Sequence, residues 1–216
     1  MFTSGTGVAP RLSGTVQNAP GGSAGTTRGE NDYQFFGTAN DLNYSNAEAA
    51  IDSAALLLDP ATRTRTISES NISTSTSAQA NSNVNSNTEL FVQFNTAGGD
   101  FFVTFDAILD MMVEVNQTDA GLAQSNSSLT ISLTDGAGGS VAVWVVDGTD
   151  FVQTCDLNYA SGCSASDAFN LNNTLSTSGT AQTAGNGAGN PGAFRFDVFD
   201  LASGQYNLVL AATTST

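Results

Sequence analysis

The sequence predicts an all-β protein, a β-sandwich or jelly roll with an extended N-terminal arm. Seven short segments of the later half alternate apolar and polar residues or are rich in β-branched and aromatic residues, as half-buried strands are. Clusters of Gly, Asp and Ser separate these segments and are typical of turns. Thirteen Phe and an apolar fraction of 40% supply enough side chains for a core, although few residues are charged.

The predicted arm comprises residues 1–31 and is rich in Gly, Ala, Ser and Thr. Within it only Arg11–Gln17 is typical of a strand, with Leu12 and Val16 on one face. One interpretation is a flexible arm. The other is a donor strand that pairs with a neighbouring subunit by β-strand addition. Both interpretations place the β-sandwich domain at residues 32–216.

The middle of the chain has less distinct patterns. Tyr33–Thr38 predicts a strand. Asn46–Asp59 combines a helical recurrence of apolar residues with an alternation that suits strands, so it predicts a short helix or a strand pair that ends at Pro60. Thr66–Thr88 is almost wholly Ser, Thr, Asn and Ala, which indicates either exposed strands or a disordered stretch that bears glycans.

The later half contains the seven clearest predicted strands. In chain order they are Glu89–Asn95, Phe101–Asp106, Met111–Asn116, Ser128–Thr134, Ser140–Val146, Ala193–Phe199 and Gln205–Ala211. Asp-Gly pairs and Gly-rich clusters lie between several of them. Strands this short and this closely spaced favour a sandwich or a jelly roll.

The charge composition excludes several classes of partner. The chain has no histidine and no lysine, five arginines and twenty acidic residues, which give a formal net charge of −15. Binding of phosphates requires clustered cations, so we expect no nucleic-acid partner and no anionic membrane surface. No apolar run of the sequence is long enough to span a membrane, and we expect no membrane insertion.

The same composition argues against catalysis, because a chain without histidine lacks the usual general base and the commonest metal ligand. Gly21–Gly25 matches the spacing of a nucleophile elbow. It lacks a histidine partner and the flanking strand and helix, so we interpret it as a linker. Paired carboxylates remain as candidate acid and base groups of a hydrolase, and the candidates are Asp100, Asp106, Asp110, Glu114, Asp197 and Asp200. We expect that the protein is not an enzyme.

Two cysteines, Cys155 and Cys163, enclose the segment Asp156–Gly162, which is typical of a turn. Such a turn can bring two thiols into disulfide range. A metal site is the alternative, but the chain offers no second ligand pair and no histidine. The cysteines therefore predict a structural disulfide and a secreted protein, extracellular or on the cell surface. The first residues lack the features of a signal peptide, and we expect the leader to lie outside this numbering.

Calcium is the cofactor that best matches the side chains of this sequence, because it accepts oxygen ligands without nitrogen or sulfur. We predict Asp135, Asp147 and Asp150 as metal ligands, since they lie in or beside Asp-Gly loops between strands. The alternative is that Asp-Gly is only a preferred turn pair. The predicted fold requires no cofactor in either case.

The sequence also predicts a glycoprotein. Five asparagines lie in Asn-x-Ser/Thr triplets: Asn43, Asn71, Asn116, Asn126 and Asn172. Each triplet alone is weak, because a chain rich in Asn, Ser and Thr produces such triplets by chance. Together with the Ser- and Thr-rich tract they favour a coat of glycans.

The segment Phe194–Leu210 contains a strand, a turn of the type L-x-x-G-x-Y and a final strand. It resembles the last hairpin of exported bacterial β-sandwich proteins of the PEP-CTERM sorting class. The Pro-Glu-Pro sorting tail of that class does not occur in this sequence. The resemblance implies export to the bacterial surface or matrix, beside exopolysaccharide, and it implies no enzyme activity.

These features predict an extracellular structural subunit of a filament, surface layer or matrix, which forms a homopolymer by β-strand addition. The alternative is a secreted carbohydrate-binding module, with polysaccharide as its partner. That alternative requires an exposed aromatic platform, and the sequence has few aromatic residues outside the predicted strand cores.

Overall fold

The computed structural model describes the backbone of residues 2–19, 25–27, 32–35, 44–52, 63–71, 81–115, 122–186 and 190–215, and the side chains of 91–115, 122–186 and 190–215. These ranges contain sixteen β-strands and no α-helix. The predicted all-β fold is therefore confirmed. Within the same ranges there is no helix that could cross a membrane.

The strands are named β1 to β16 in chain order. Their bounds are β1 Phe2–Ala19, β2 Gly25–Thr27, β3 Asp32–Phe35, β4 Tyr44–Asp52, β5 Arg63–Asn71, β6 Asn81–Thr96, β7 Gly99–Ala107, β8 Asp110–Val113, β9 Ala123–Asp135, β10 Ser140–Val145, β11 Thr154–Cys155, β12 Gly162–Ser166, β13 Thr174–Thr177, β14 Gln182–Gly185, β15 Gly192–Leu201 and β16 Gly204–Ser215. The seven strands predicted in the later half correspond to β6, β7, β8, β9, β10, β15 and β16, and the predicted strand Tyr33–Thr38 overlaps β3. Residues 36–38 and Asn116 of these predictions lie outside the described ranges.

The ambiguous segment Asn46–Asp59 is a strand as far as it is described. β4 ends at Asp52, and residues 53–62 lie outside the described ranges. β3 and β5 pair with the two edges of β4. This pairing satisfies the backbone N–H and C=O groups that a helix would otherwise satisfy internally, so long-range contacts decide between the two interpretations.

Eight strands form the main sheet, in the order β11-β10-β9-β16-β6-β1-β2, and β13 also pairs with β9. β6 lies between β16 and β1. Its antiparallel register with β1 runs from Thr96 opposite Phe2 to Asn81 opposite Ala19. The predicted N-terminal arm therefore contributes a long strand to the same sheet as the C-terminal strand. The proposed boundary at residue 31 stays a prediction.

Three smaller groups of strands accompany the main sheet. β12, β15 and β7 form a three-stranded sheet, here called the facing sheet, and β8 pairs with β14. β3, β4 and β5 form a separate N-terminal sheet, in which β4 contacts β1 and β6 while β5 contacts β6 and β16. The main and facing sheets enclose the core, which is the arrangement of a β-sandwich.

Aromatic side chains from both sheets form this core. Trp144 of β10 stacks on Phe196 of β15 with 5.8 Å between the ring centroids. Phe94 of β6 stacks on Phe101 of β7 at 5.0 Å. Trp144 and Phe196 are fully buried, and burial of a large apolar side chain contributes roughly 1.5–3 kcal/mol. These contacts hold the two sheets face to face.

The hydroxyl-rich tract Thr66–Thr88, where it is described, lies in the strands β5 and β6. The register places Asn85 of β6 between Thr15 of β1 and Ser215 of β16, and it places Ser215 beside Asn126 of β9. The side-chain amide Nδ2 of Asn126 donates to the Ser215 hydroxyl oxygen at 3.2 Å. Small polar residues therefore form a row across the main sheet, and the strand interpretation of this tract is confirmed in its described part.

The C-terminal segment departs from the predicted hairpin. β15 and β16 are present, and the turn between them is formed by Ala202 and Ser203. The two strands do not pair with each other, because β15 belongs to the facing sheet and β16 to the main sheet. The turn therefore carries the chain from one layer of the sandwich to the other.

Candidate functional site

The first candidate site is the edge of the main sheet at β1. β6 pairs with β1 from Phe2 to Ala19, whereas β2 pairs with it only from Gly14 to Val16. Within the described residues, Phe2–Ser13 has no strand partner on the side away from β6. An edge strand of this kind presents backbone groups that can pair with another chain.

The register of β1 with β6 sets two residues of opposite charge directly across from each other. Arg11 is the only charged residue of the β1 sequence. It lies opposite Glu89 of β6. Directly opposed residues of opposite charge stabilise a strand pair by roughly 0.2–1 kcal/mol relative to alanines. This pair therefore disfavours a shift of β1 along β6.

The predicted disulfide between Cys155 and Cys163 is present, with 2.04 Å between the sulfurs and 5.9 Å between the Cα atoms. Cys155 lies in β11, at one edge of the main sheet, and Cys163 lies in β12, at one edge of the facing sheet. The bond therefore joins the two layers of the sandwich covalently.

Asp135, a predicted calcium ligand, ends β9 and organises the turn to β10. Its Oδ1 accepts the backbone N–H groups of Ala137 at 3.0 Å and Gly139 at 2.6 Å. Its Oδ2 accepts the hydroxyl of Tyr159 at 2.6 Å. The Tyr159 hydrogen bond is the largest cause that lowers the pKa of the Asp135 carboxyl. Donors of the protein itself thus stabilise the ionised form of this side chain.

The other two predicted calcium ligands, Asp147 and Asp150, follow β10, whereas Asp135 precedes it. The structure therefore brings Asp147 near Asp150 in one loop but leaves Asp135 at the opposite end of the strand. Asp147 Oδ1 accepts two hydrogen bonds from Thr149, one from the hydroxyl at 2.6 Å and one from the backbone N–H at 3.0 Å. The hydroxyl is the largest cause that lowers the pKa of Asp147.

Asp167 lies beside this loop, and nothing in its local sequence predicts a special role. Its Oδ2 accepts the N–H of Gly148 at 2.8 Å, and its own N–H donates to Asp150 Oδ1 at 2.8 Å. Its Oδ1 and the Nε1 of Trp144 are both buried, and the interaction between these two side chains acts to lower the pKa of Asp167. Burial, followed by the charges of Asp150 and Asp147, raises the pKa of Asp167 to about 6.

In the described ranges no group of three or more acidic, Cys or His side chains is arranged to hold a metal ion. Calcium binding by Asp135, Asp147 and Asp150 stays a prediction. The hydrogen bonds of Asp135 and Asp147 within their own turns match the alternative reading of Asp-Gly as a turn pair.

The predicted glycosylation sites differ in their surroundings. Asn126 is exposed on β9. Asn172 is half-buried, and its Nδ2 donates to the carbonyls of Leu129 at 3.0 Å and Val146 at 2.8 Å. A glycan replaces one Nδ2 hydrogen, so a glycan on Asn172 would break one of these two bonds. Asn71 ends β5, and Asn43 and Asn116 lie outside the described residues.

A second candidate site is the outer face of the facing sheet, the side turned away from the core. Phe102 of β7 is 57% exposed there and Phe199 of β15 is 40% exposed. The guanidinium carbon of Arg195 lies 4.7 Å from the centroid of the Phe102 ring. Arg195 also forms a forked ion pair with Asp197, with N–O distances from 2.6 to 2.9 Å. The sequence does not predict this surface, because adjacent phenylalanines carry no local sign of which ring faces the core.

Two of the candidate hydrolase carboxylates meet at the bulge of β15. Asp200 adopts a left-handed backbone with φ of 50°. Its N–H donates to Asp100 Oδ1 at 3.0 Å, and its Oδ2 accepts the hydroxyl of Ser161 at 2.7 Å. These contacts hold an unusual backbone conformation, since few residues other than glycine adopt it. They give both carboxylates a structural role.

The chain matches no family model, no curated protein and no solved structure. The likeness of Phe194–Leu210 to the PEP-CTERM class therefore stays a prediction.

Proposed function

We propose that the protein is an extracellular structural subunit of a filament, surface layer or matrix, in which β1 of one copy pairs with β6 of the next. The main support is the long pairing of β1 with β6 in a register that sets Arg11 opposite Glu89. An edge strand can leave its own sheet and take the same place in a neighbour. The β1–β6 pairing formed between two copies would then have the same residue pairs as the pairing within one copy.

Head-to-tail exchange of β1 produces an open chain of subunits when the rotation between neighbours does not close a ring. The net charge of −15 on each copy opposes unspecific association. Backbone pairing, rather than attraction between surfaces, therefore holds the copies together.

The extracellular location belongs to the same proposal. It is supported by the disulfide between the two sheets, since such bonds persist in oxidising compartments. A Ser-, Thr- and Asn-rich strand surface also suits a subunit that is surrounded by matrix polymers.

Cysteine variants of the full chain test the exchange of β1. Ser13 and Asn87 lie opposite each other in the register of β1 and β6. Opposed residues of an antiparallel pair lie about 4.5–5.5 Å apart at Cα, which is within disulfide range. We expect that Ser13→Cys protein, mixed with Asn87→Cys protein and oxidised, forms covalent dimers of one copy of each. Electron microscopy of the wild-type protein should show filaments or layers.

The matched control replaces Asn87→Cys by Asn83→Cys, because Asn83 lies opposite Gln17 and therefore out of register with Ser13. It should form far fewer dimers with Ser13→Cys. Removal of residues 1–31 should leave monomers. The proposal fails if the double variant S13C/N87C closes its disulfide within one chain while the mixed single variants do not crosslink.

A further inference from the structure

The outer face of the facing sheet combines exposed aromatic rings with polar groups at defined positions. Rows of outward-facing residues cross its strands: Phe102, Asp197 and Ser164 in the first, Thr104, Arg195 and Ser166 in the second, and Phe199 in the third. On the far side of the second row, Asp106 lies opposite Ala193. The third row continues to Gly162, which has no side chain to cover the Phe199 ring. A soluble protein leaves such an apolar surface open mainly where it meets a partner.

The Arg195 side chain is held in place but keeps donors for a partner. Its Nε and Nη2 donate to the Asp197 carboxylate, while Nη1 donates to no acceptor in the described ranges. Half of the side chain is exposed. Two contacts, with Asp197 and with the Phe102 ring, fix its orientation. A group that is oriented before binding loses little conformational freedom when it binds.

We infer that this outer face binds an uncharged polysaccharide. A sugar ring has two kinds of surface, C–H groups on its faces and hydroxyls on its rim. The exposed rings of Phe102 and Phe199 offer apolar surface to the C–H faces. Arg195 Nη1 and the hydroxyls of Ser164 and Ser166 offer hydrogen bonds to the rim. Repeated units of one polymer can occupy the rows together, which raises the affinity over that of a single sugar.

The charges of the chain favour an uncharged polysaccharide over anionic polymers and cationic peptides. The chain has twenty acidic residues and five arginines, so an anionic polymer is repelled. A cationic peptide is disfavoured at the rings, because the guanidinium of Arg195 already occupies the position beside Phe102 that a second cation would take. An uncharged polymer rich in hydroxyls meets neither obstacle.

Cosedimentation of the full-length protein with insoluble cellulose, chitin or curdlan tests the inference. Alginate coupled to polystyrene beads, so that it also pellets, serves as the anionic polymer, and uncoated beads are its blank. We expect the wild-type protein to bind at least one of the three neutral polymers and not alginate. Phe102→Ala and Phe199→Ala should each weaken this binding about tenfold, as loss of an important aromatic contact does. Both rings are exposed, so thermal unfolding should show that the variants keep the fold.

Phe151→Ala is the matched control, because Phe151 is as exposed as Phe102 but lies in a loop outside the facing sheet. It should bind as the wild type does. The inference is overturned if none of the neutral polymers binds, if alginate binds better, or if Phe151→Ala loses as much affinity as Phe102→Ala. It is also overturned if Phe102→Ala dissociates an oligomer in sedimentation velocity without polysaccharide. Filaments formed by exchange of β1 can pellet by themselves, so bound protein is the fraction that pellets with polysaccharide minus the fraction that pellets without it. The exchange of β1 itself is measured separately by the cysteine variants.

Discussion

Tyr159 donates its hydroxyl proton to Asp135 Oδ2 across 2.6 Å and so ties the loop before β12 to the end of β9. The carbonyl of Tyr159 also accepts the N–H of Ala202 at 2.7 Å, in the turn between β15 and β16. One residue thus connects three turns at the same end of the sandwich. Because one of its partners is a carboxylate, part of this connection depends on pH.

Replacement of Tyr159 by Phe should lower the free energy of unfolding at neutral pH. It should also reduce the difference between the free energies of unfolding at neutral and at acid pH. The Tyr159 hydroxyl lowers the pKa of folded Asp135 below its usual 3.8. A lowered carboxyl pKa stabilises the fold above about pH 4, and this contribution is lost as the pH falls further. Urea unfolding at neutral pH and at about pH 3 should therefore differ less in Tyr159→Phe than in the wild type.

Tyr206→Phe is the control for this prediction, because the Tyr206 hydroxyl donates to the carbonyl of Ala202 and not to a carboxylate. It should lower the free energy of unfolding by a similar amount at both pH values. An equal loss at both pH values in Tyr159→Phe would contradict the prediction.

Replacement of Asp167 by Asn should raise the free energy of unfolding at neutral pH. Burial raises the pKa of Asp167 to about 6, so the folded protein holds the proton more tightly than the unfolded chain does. This group therefore contributes most to stability below about pH 4. The contribution is lost as the pH rises through about 6, because the carboxyl of the folded protein then ionises. Asn has no charge to bury and keeps an oxygen for the N–H of Gly148.

The fluorescence of Trp144 measures this effect, because Trp144 is the single tryptophan and is buried near Asp167. Urea midpoints at about pH 4.5 and about pH 7 should differ less in Asp167→Asn than in the wild type. Asp106→Asn, on the exposed side of β7, should keep the wild-type difference. A fall in stability of Asp167→Asn at neutral pH would show that the ionised carboxylate is favourable there.

Loss of the disulfide should lower the free energy of unfolding by about 2–3 kcal/mol, because the eight-residue separation of Cys155 and Cys163 closes a short loop in the unfolded chain. The variant that carries both Cys155→Ser and Cys163→Ser should unfold at lower urea concentration. Dithiothreitol should destabilise the wild type by a similar amount and leave the double variant unchanged. An effect of the reductant on the double variant would trace the loss to another cause.

The asparagines Asn172 and Asn126 should differ strongly on replacement by Ala. Asn172→Ala removes the donor that two backbone carbonyls share in a half-buried position, which costs about 1–3 kcal/mol. Asn126 is exposed and donates to Ser215, so Asn126→Ala should change the free energy of unfolding by less than about 0.5 kcal/mol. Urea unfolding of both variants, produced without glycans, checks the difference. Equal losses would mean that the two carbonyls find other donors.

Most strands could be predicted from the sequence because alternation is a local signal. In Ser128–Thr134 the apolar Ile131 and Leu133 are buried, and the polar Ser132 between them is not. The same signal does not say which strand pairs with which. Phe194–Leu210 has the two strands and the turn of a hairpin, yet the turn leads to the other sheet. Whether a turn closes a hairpin or crosses between layers depends on where distant strands already lie.

The candidate sites could be predicted only in part, for the same reason. The disulfide follows from the sequence, because two cysteines allow a single pairing. The raised pKa of Asp167 does not, because its burial depends on the loop around Gly148 and on Trp144. The exposed position of Phe102 follows from the pairing of β7 with β15, and a strand shifted by one residue would turn that ring toward the core.

By itself the sequence determined that the chain forms strands, that its two cysteines pair, and that it has a formal charge of −15 without histidine or lysine. These properties depend on composition and on neighbours within a few residues. Only the tertiary structure decided that β1 lies along β6, that the last two strands belong to different layers, and that Phe102 and Phe199 face outward. The physical reason is that burial and strand pairing are relations between residues far apart in the chain, so no local pattern can specify them.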